Sequence, residues 1–366
     1  MQPETLPRPG VTVLAKTYEL LPGGKGANQA HACAMASRGD VEKNTNIKTD
    51  FVGAVGNDAF GVLLKKAFHD AGVGTAGLST HDSLPTACAA VVVDSNGENQ
   101  IAVGSGANNS VRAGMLADTS SFSLEKNDVL LLQMEIPVEE VCGAIDAAHQ
   151  AGALSVLNVA PSAPVPKAVL ERLDFLIVNE HEAIDVYESI MPLRTPRDSP
   201  DLDPLAVSRV VAQLTGIAVI VTLGSEGAAA CLSKRPNDDS GKHISNNCDI
   251  ISVDPPSLLD GEVIKDTTGA GDAFCGAFVH ALAAGFSLRV CLQRASVAGT
   301  LGCLAVGART AVPDGDVISK RQNDAQVTAN WGAEGETSPY QALLLFNAPA
   351  TAWTRQGRKK VERETN

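Results

Sequence analysis

Short apolar runs alternate with longer segments of helical period along most of the chain. Asp50–Val55, Ala89–Val93, Gln100–Val103, Val129–Gln133, Leu154–Asn158, Phe175–Val178 and Ala218–Leu223 have strand length. Between them Gly26–Ser37, Asp58–Ala71, Val138–Ala151, Glu180–Ile190 and Leu205–Leu214 read as helices. Two more helices follow, one entered at Asp272 and running through Ala273–Leu282, the other Leu288–Leu304. Runs such as Val129–Gln133 are apolar at consecutive positions, which suits strands buried on both faces. This alternation predicts an α/β fold in three layers, a mostly parallel sheet flanked by helices.

Three stretches break the pattern. Val11–Leu21 alternates as a half-exposed strand would, and so do Ala89–Val93 and Gln100–Val103. The latter two are joined by Asp94–Glu98, where Asn96-Gly97 is a hairpin signal. These segments predict a small β lid, from about 11–21 and 89–103, standing off the main body. Arg235–Gly261 is polar and rich in Pro and Asp, and reads as a long surface loop. Beyond about Ser319 the periodicity fades, so residues 1–318 read as the folded domain and 319–366 as a poorly ordered extension. That extension carries Trp331, Pro339, an apolar patch at Leu343–Phe346 and a basic end, Arg355–Arg363, which reads as a solvated charge run.

Charge and cysteine content narrow the function. The net charge of −13 argues against a nucleic-acid groove and against an anionic membrane surface. No run approaches the roughly 18 apolar residues of a membrane span. The start, Met1–Gly10, shows no apolar core of a secretory signal. Eight cysteines are scattered without CxxC spacing, several in apolar stretches such as Cys88, Cys142, Cys275 and Cys303. They read as buried free thiols in a reducing compartment, and the protein as cytoplasmic.

Two glycine-rich segments carry the chemistry. Asp266-Thr267-Thr268-Gly269-Ala270-Gly271-Asp272 opens directly onto a helix. A small-residue loop at a helix start offers unpaired N–H groups and the positive end of the dipole, which suits a phosphate. Asp272 is poorly suited to bind that phosphate but well placed to take a proton from an attacking hydroxyl, the pairing phosphoryl transfer needs. As plain structure, the same residues are an Asp at a helix start after a glycine turn. The second segment is Pro22-Gly-Gly-Lys-Gly-Ala-Asn-Gln-Ala30. It is not a P-loop, because Lys25 is followed by Gly26, and not a dinucleotide fingerprint, because Gln29 occupies the third glycine position. What remains is a helix start at which Lys25 and Asn28 could grip a polyol; the plain alternative is a helix N-terminus.

The Asp266–Asp272 run resembles the signature of the ribokinase-like (PfkB) carbohydrate kinases, and Gly23–Ala30 resembles the sugar-binding segment of the family's ribokinase branch. Leu132–Pro137, Asn179–Glu182, Thr222–Gly227 and Gly307–Pro313 match further family segments in the same order, so the resemblance runs from about Pro7 to Pro313. It implies ATP-dependent phosphorylation of D-ribose at the 5-hydroxyl. Asp272 would be the base, and the N–H groups of Gly269, Ala270 and Gly271 the anion hole. Gly24, Lys25, Gly26, Ala27, Asn28 and Glu135 would join Asp272 around the sugar. Asn179, Glu182, Thr222, Leu223, Gly224, Ser225, Glu226, Gly227, Gly271 and Ser296 would serve ATP and its Mg2+. Asp266 and Thr268, with carbonyls of Gly302, Ala305 and Gly307, would hold an activating K+; Ala311 stands where the family usually has Ser. A homodimer through the lid is implied as well. Family members begin with a strand ending in Asn-x-Asp, and the match here starts after it, so one strand and one acidic sugar ligand of the family pattern have no counterpart. Two other readings stay open: a related kinase of another pentose, hexose or nucleoside, and a sugar- or nucleotide-binding relative with weak catalysis.

Overall fold

The computed structural model describes residues 1, 3–40, 47–95, 99–116, 123–191, 202–233 and 248–328. The Asn96-Gly97 turn, residues 235–247 of the Arg235–Gly261 stretch and the tail from 329, with its apolar patch and basic end, lie outside these residues.

The elements follow in the order α1 (Lys25–Ser37), β1 (Asp50–Gly56), α2 (Ala59–Ala71), β2 (Gly74–His81), β3 (Cys88–Val93) and β4 (Asn99–Gly104). Next come β5 (Val129–Leu132), α3 (Val138–Ala151), β6 (Leu154–Asn158), the short α4 (Lys167–Leu170), β7 (Phe175–Asn179) and α5 (Glu180–Ile190). The chain continues through α6 (Pro204–Thr215), β8 (Ala218–Thr222), β9 (Ala228–Ser233), β10 (Cys248–Val253), α7 (Ala270–Ala283), α8 (Leu288–Gly302) and α9 (Gly315–Thr328).

The main sheet has six strands in the order β10-β9-β8-β7-β6-β5. β5 through β8 run parallel, in a register that sets Val156 beside Phe175 and Ile177 beside Ile220. β9 runs antiparallel beside β8, and β10 pairs antiparallel with β9 at the sheet edge. The central strands are buried on both faces: Leu157, Leu176, Ile177, Val219 and Ile220 are all 2% exposed or less. Ile145 of α3, Leu170 of α4 and Val211 of α6 close over one face in the main core. This is the burial that consecutive apolar positions demand. β1 and β2 form a separate parallel pair, and Val52 of β1 packs against the main core. β3 and β4 form an antiparallel ribbon, the lid expected from Ala89–Val93 and Gln100–Val103.

Several expectations need correction. Val11–Leu21 forms no strand; its one ladder contact is an isolated bridge from Ala15 to Pro3. Alternation alone does not make a strand: without a paired neighbour the backbone groups face water, and Leu14 and Tyr18 stay 89% and 75% exposed. The Arg235–Gly261 stretch is not all loop, because Cys248–Val253 pairs with β9 as β10. α9 carries helix to Thr328, past the expected end of order near Ser319, and buries Ile318 and Gln322. All eight cysteines are free as expected, but Cys88 is exposed and Cys142 only half-buried. Besides β10, two strands were not legible. β2 is Gly74-Thr-Ala-Gly-Leu-Ser-Thr-His81 and β9 begins with three alanines, poor strand formers whose conformation comes from their neighbours' ladders.

Candidate active site

The site is built where α1 crosses α7. Residues Asp272–Leu282 of α7 are all buried. A Cβ on Gly276 would lie 2.5 Å from the Gln29 carbonyl oxygen and 2.6 Å from Ala32 Cβ. Glycine is therefore what lets the two helices meet with their backbones nearly touching. The first turns of both helices converge as a result, and the side chains of Asn28 and Gln29 reach the Asp272 carboxylate.

Asp272 is 8% exposed, at the third position of α7. Asn28 Nδ2 donates to Asp272 Oδ2 at 2.9 Å, and Gln29 Nε2 donates to Oδ1 at 3.0 Å. Each amide is held from behind. Arg309 Nε donates to Asn28 Oδ1 at 2.8 Å, and Gln133 Nε2 donates to Gln29 Oε1 at 2.6 Å. Gln29 Nε2 also reaches Asn158 Oδ1 at 3.0 Å, at the carboxyl end of β6. Both amides thus present N–H, not C=O, to the carboxylate. Burial pushes the Asp272 carboxyl above its ordinary range, opposed by the bonds from Asn28 and Gln29 and by the charges of Lys25 and Arg309. A buried carboxylate with a raised pKa, oriented by two locked donors, has the properties of a general base.

The acceptor side gathers around the start of α1. Gly24 caps the helix with φ +89°, and the Lys25 N–H donates to Glu135 Oε2 at 2.9 Å. Glu135 so serves as an acceptor for the N-terminus of α1 and stands beside Gly24 and Lys25 as expected. A Cβ on Gly26 would meet Gln133 Oε1 at 2.7 Å, and Ala27 is buried in a satellite core. The expected sugar set is brought together.

The anion loop is shaped by Gly269, at φ +81°, where a Cβ would lie 2.6 Å from Ala308 Cβ. Only glycine tolerates both demands. The Ala270 N–H, one of the three expected anion-hole donors, instead meets the Thr267 carbonyl at 3.2 Å. That bond tightens the turn into α7 and takes one donor. Gly271 and Asp272 lie in the first turn, ahead of the helix's own acceptors.

On the nucleotide side, Asn179 and Glu182 form a reciprocal capping box at the start of α5, with bonds of 2.8 and 2.9 Å. Burial raises the Glu182 carboxyl, opposed in part by the bond from the Asn179 N–H and then by the charge of Lys25. Thr222–Gly227 is a turn at the end of β8, with Gly224, Ser225 and Glu226 exposed. Ser296 is buried on α8 and its hydroxyl bonds the Asp254 carbonyl at 3.5 Å. Among the described residues no hydrogen bond links the Thr222–Gly227 turn or Ser296 to Asp272.

Asp266 ties the expected cation segments together. Its Oδ1 accepts from the Thr268 N–H at 2.9 Å and its Oδ2 from the Gly307 N–H at 2.8 Å. Burial opposes its ionisation, but these bonds, with the Thr268 side chain, outweigh burial and lower its pKa. The Cys303 carbonyl, between Gly302 and Ala305, accepts from the Lys265 and Asp266 N–H groups at 2.8 and 3.3 Å. Both oxygens of the Asp266 carboxylate are thus held by backbone N–H groups of the segments expected to bind a cation, and Ala311 adds no side-chain oxygen there. Among the described residues no cluster of three His, Cys, Asp or Glu could cage a divalent ion.

Four site residues were not singled out from the sequence: Gln29, Gln133, Asn158 and Arg309. Asn158 and Gln133 are polar ends of apolar strands, and Gln29 adjoins Asn28 in the glycine segment. Those signals were readable. Arg309 had none, since its contact with Asn28 spans 281 residues.

The model of the pfkB family carbohydrate kinase matches residues 2–315. The ribokinase of Schizosaccharomyces pombe is 31% identical over 291 residues, 80% of this chain and 83% of its own. The structure of Arabidopsis thaliana ribokinase complexed with ribose and ATP aligns with a TM-score of 0.68 at 29% identity, over 88% of this chain and 94% of its own. The Thermotoga maritima ribokinase structure gives 0.69 at 25% identity, over the same shares.

Proposed function

The chain belongs to the pfkB family of carbohydrate kinases, and on that premise we propose that it transfers the terminal phosphoryl group of ATP to the 5-hydroxyl of D-ribose. The observation that carries the reading is the buried Asp272 carboxylate, raised by burial and held by Asn28 and Gln29 at the start of α7. The similarity to an Arabidopsis ribokinase solved with ribose and ATP supports the choice of substrates.

In this reading Asp272 takes the proton from the 5-hydroxyl as its oxygen attacks phosphorus. The first-turn N–H groups of α7, at Gly271 above all, hold the transferred group as its charge redistributes. Lys25 and Glu135 orient the sugar at the start of α1. The turn after β8 and the capping box of α5 flank the nucleotide. A magnesium ion would reside on the ATP phosphates and neutralise their charge, since the described residues supply no carboxylate cage. Asp266 with the Gly302, Ala305 and Gly307 carbonyls would hold potassium, which would stiffen the loop behind the anion hole.

The β3–β4 ribbon would act as the lid. Its exposed Val91, Ile101 and Val103 support pairing of two lids in a homodimer. No described helix is long and apolar enough to cross a membrane, and with eight free thiols the proposed location is the cytoplasm.

The test is ADP release by the purified full chain with ATP, Mg2+ and a panel of ribose, other pentoses, hexoses and nucleosides. Ribose is expected to give the highest kcat/KM. A tenfold preference for any other acceptor would overturn the assignment.

A further inference from the structure

Arg309 is an expensive residue where it stands. Burial lowers its pKa to about 10, partly offset by the charge of Asp272. Among the described residues no carboxylate lies within ion-pair distance of it. Its contacts are an amide oxygen, Asn28 Oδ1 at 2.8 Å, and a backbone carbonyl, that of Gly23 at 3.4 Å. Its Nη1 is buried with no acceptor among the described residues. The residue is half-buried, and a guanidinium held there by neutral acceptors, with Nη1 unmatched, costs stability, so packing does not account for it.

Its bond to Asn28 has a definite consequence. A carboxamide can turn over, exchanging its oxygen and nitrogen at little steric cost. Turned over, Asn28 would point Oδ1 at the Asp272 carboxylate. The Arg309 Nε–H excludes that arrangement, because it needs an acceptor on the Asn28 side facing it. The guanidinium thus selects the rotamer in which Nδ2 donates to Asp272 Oδ2 at 2.9 Å. On the other carboxylate oxygen Gln133 does the same for Gln29.

We propose that Arg309 is a positioning residue for the phosphoryl transfer: through Asn28 it holds the Asp272 carboxylate in its reactive orientation. The proposal rests on Asp272 being the base, as in the reading above. The groups that act on Asp272 are Asn28, Gln29 and the charge of Lys25 on α1 and the charge of Arg309 on its own segment; on α7 itself Cys275, raised chiefly by burial and further by Asp272 and Glu182, stays a neutral thiol. His31, one turn further along α1, feels the Arg309 charge and is lowered to about 4, chiefly by burial, so it stays neutral over the working range.

The experiment is a double-mutant cycle of Arg309→Met and Asn28→Ala, with Arg309→Lys and Asp272→Asn beside it. Each variant is read for kcat, both KM values, the acid limb of kcat against pH, and the thermal melt. Arg309→Met is expected to lower kcat about tenfold, the scale of one lost charge-assisted bond, with ATP KM unchanged. The acid limb should move up in pH, because the bond and charge that favour the ionised carboxylate are weakened or gone. In the Asn28→Ala background the same change should cost less than about twofold, since the partner it acts through is absent. Arg309→Lys should keep the acid limb near its original place while recovering only part of kcat. A wild-type kcat and acid limb in Arg309→Met, or an equal loss in both backgrounds, would overturn the proposal. If Arg309→Met melts before it can be assayed, Arg309→Lys carries the cycle. An active Asp272→Asn would instead sink the base assignment; an inactive one with an unaffected Arg309→Met would sink the role of Arg309 alone.

Discussion

The Gln29 amide donates to the Asp272 carboxylate at 3.0 Å across 243 residues of chain, and its own oxygen is held by Gln133. Asn28 is held by Arg309 in the same manner. Residue 272 therefore faces two fixed N–H groups and must present two acceptors.

Asp272→Asn should lower kcat by about 100-fold or more, the usual contribution of a general base. It should leave ATP binding, measured by calorimetry, within about threefold. The new amide also turns one N–H toward Asn28 or Gln29, neither of which can turn over to accept it. A variant retaining more than a tenth of wild-type kcat would show that another group takes the proton.

The pH dependence has a determined sign. Burial raises the Asp272 carboxyl above the ordinary 3.8. A base must be ionised, so kcat should fall on acidification with a midpoint above that value. A midpoint at or below 3.8 would mean that the rate reports some other group.

Glu135→Ala and Asn28→Ala should raise the ribose KM more than the ATP KM. A sugar hydroxyl buried without its partner is costly, on the order of 1–3 kcal/mol. Glu135→Ala should also destabilise the fold by about 1 kcal/mol, because the Lys25 N–H at the start of α1 loses its acceptor. If either change weakened ATP and spared ribose, the two ends of the site are reversed.

Gly269→Ala should cut kcat with little change in ribose KM. The residue sits at φ +81° and a methyl would strike Ala308. The left-handed conformation alone costs a non-glycine residue on the order of 1–2 kcal/mol. Ala308→Gly in the same chain should recover only a small part of the loss, because the Ala308 Cα and carbonyl oxygen, 2.7 and 2.9 Å from the added Cβ, remain. Full recovery would show that the Ala308 methyl alone causes the defect.

Potassium should raise the rate over sodium, and Asp266→Ala should abolish the difference. Asp266 joins Thr268 to Gly307, so it links the anion loop to the segment carrying Ala308 and Arg309. With Ala311 contributing no side-chain oxygen the gain should be modest. Equal rates in potassium, sodium and a bulky organic cation would exclude the site.

Arg294→Met should destabilise the protein by about 3–5 kcal/mol in chemical unfolding. Arg294 pairs with Asp40 at 2.7 Å with both side chains 1% exposed, bonds Ser319 of α9, and lies 4.8 Å over the Phe286 ring. Removing the cation takes away the ion-pair partner of the buried Asp40 carboxylate. A loss under 1 kcal/mol would mean that water or rearrangement reaches Asp40.

Much of this molecule was legible along the chain, because its devices are local. The parallel core strands declare themselves as unbroken apolar runs, since both faces are dry. The two glycine segments declare themselves because tight turns at helix starts need glycine, and Gly24 and Gly269 do stand at positive φ. Hence the three-layer fold and the glycine turns that start α1 and α7 are legible in the chain itself. What tertiary structure alone decided is pairing. β9, with its alanines, is a strand because β8 and β10 hold it, whereas Val11–Leu21 has the better pattern and only an isolated bridge to Pro3. The clamp on Asp272 is of the same kind. Asn28, Gln29, Gln133, Asn158 and Arg309 are ordinary polar residues in sequence. They become a site only because Gly276 lets α1 and α7 touch, and because a buried carboxylate must find donors wherever the fold brings them.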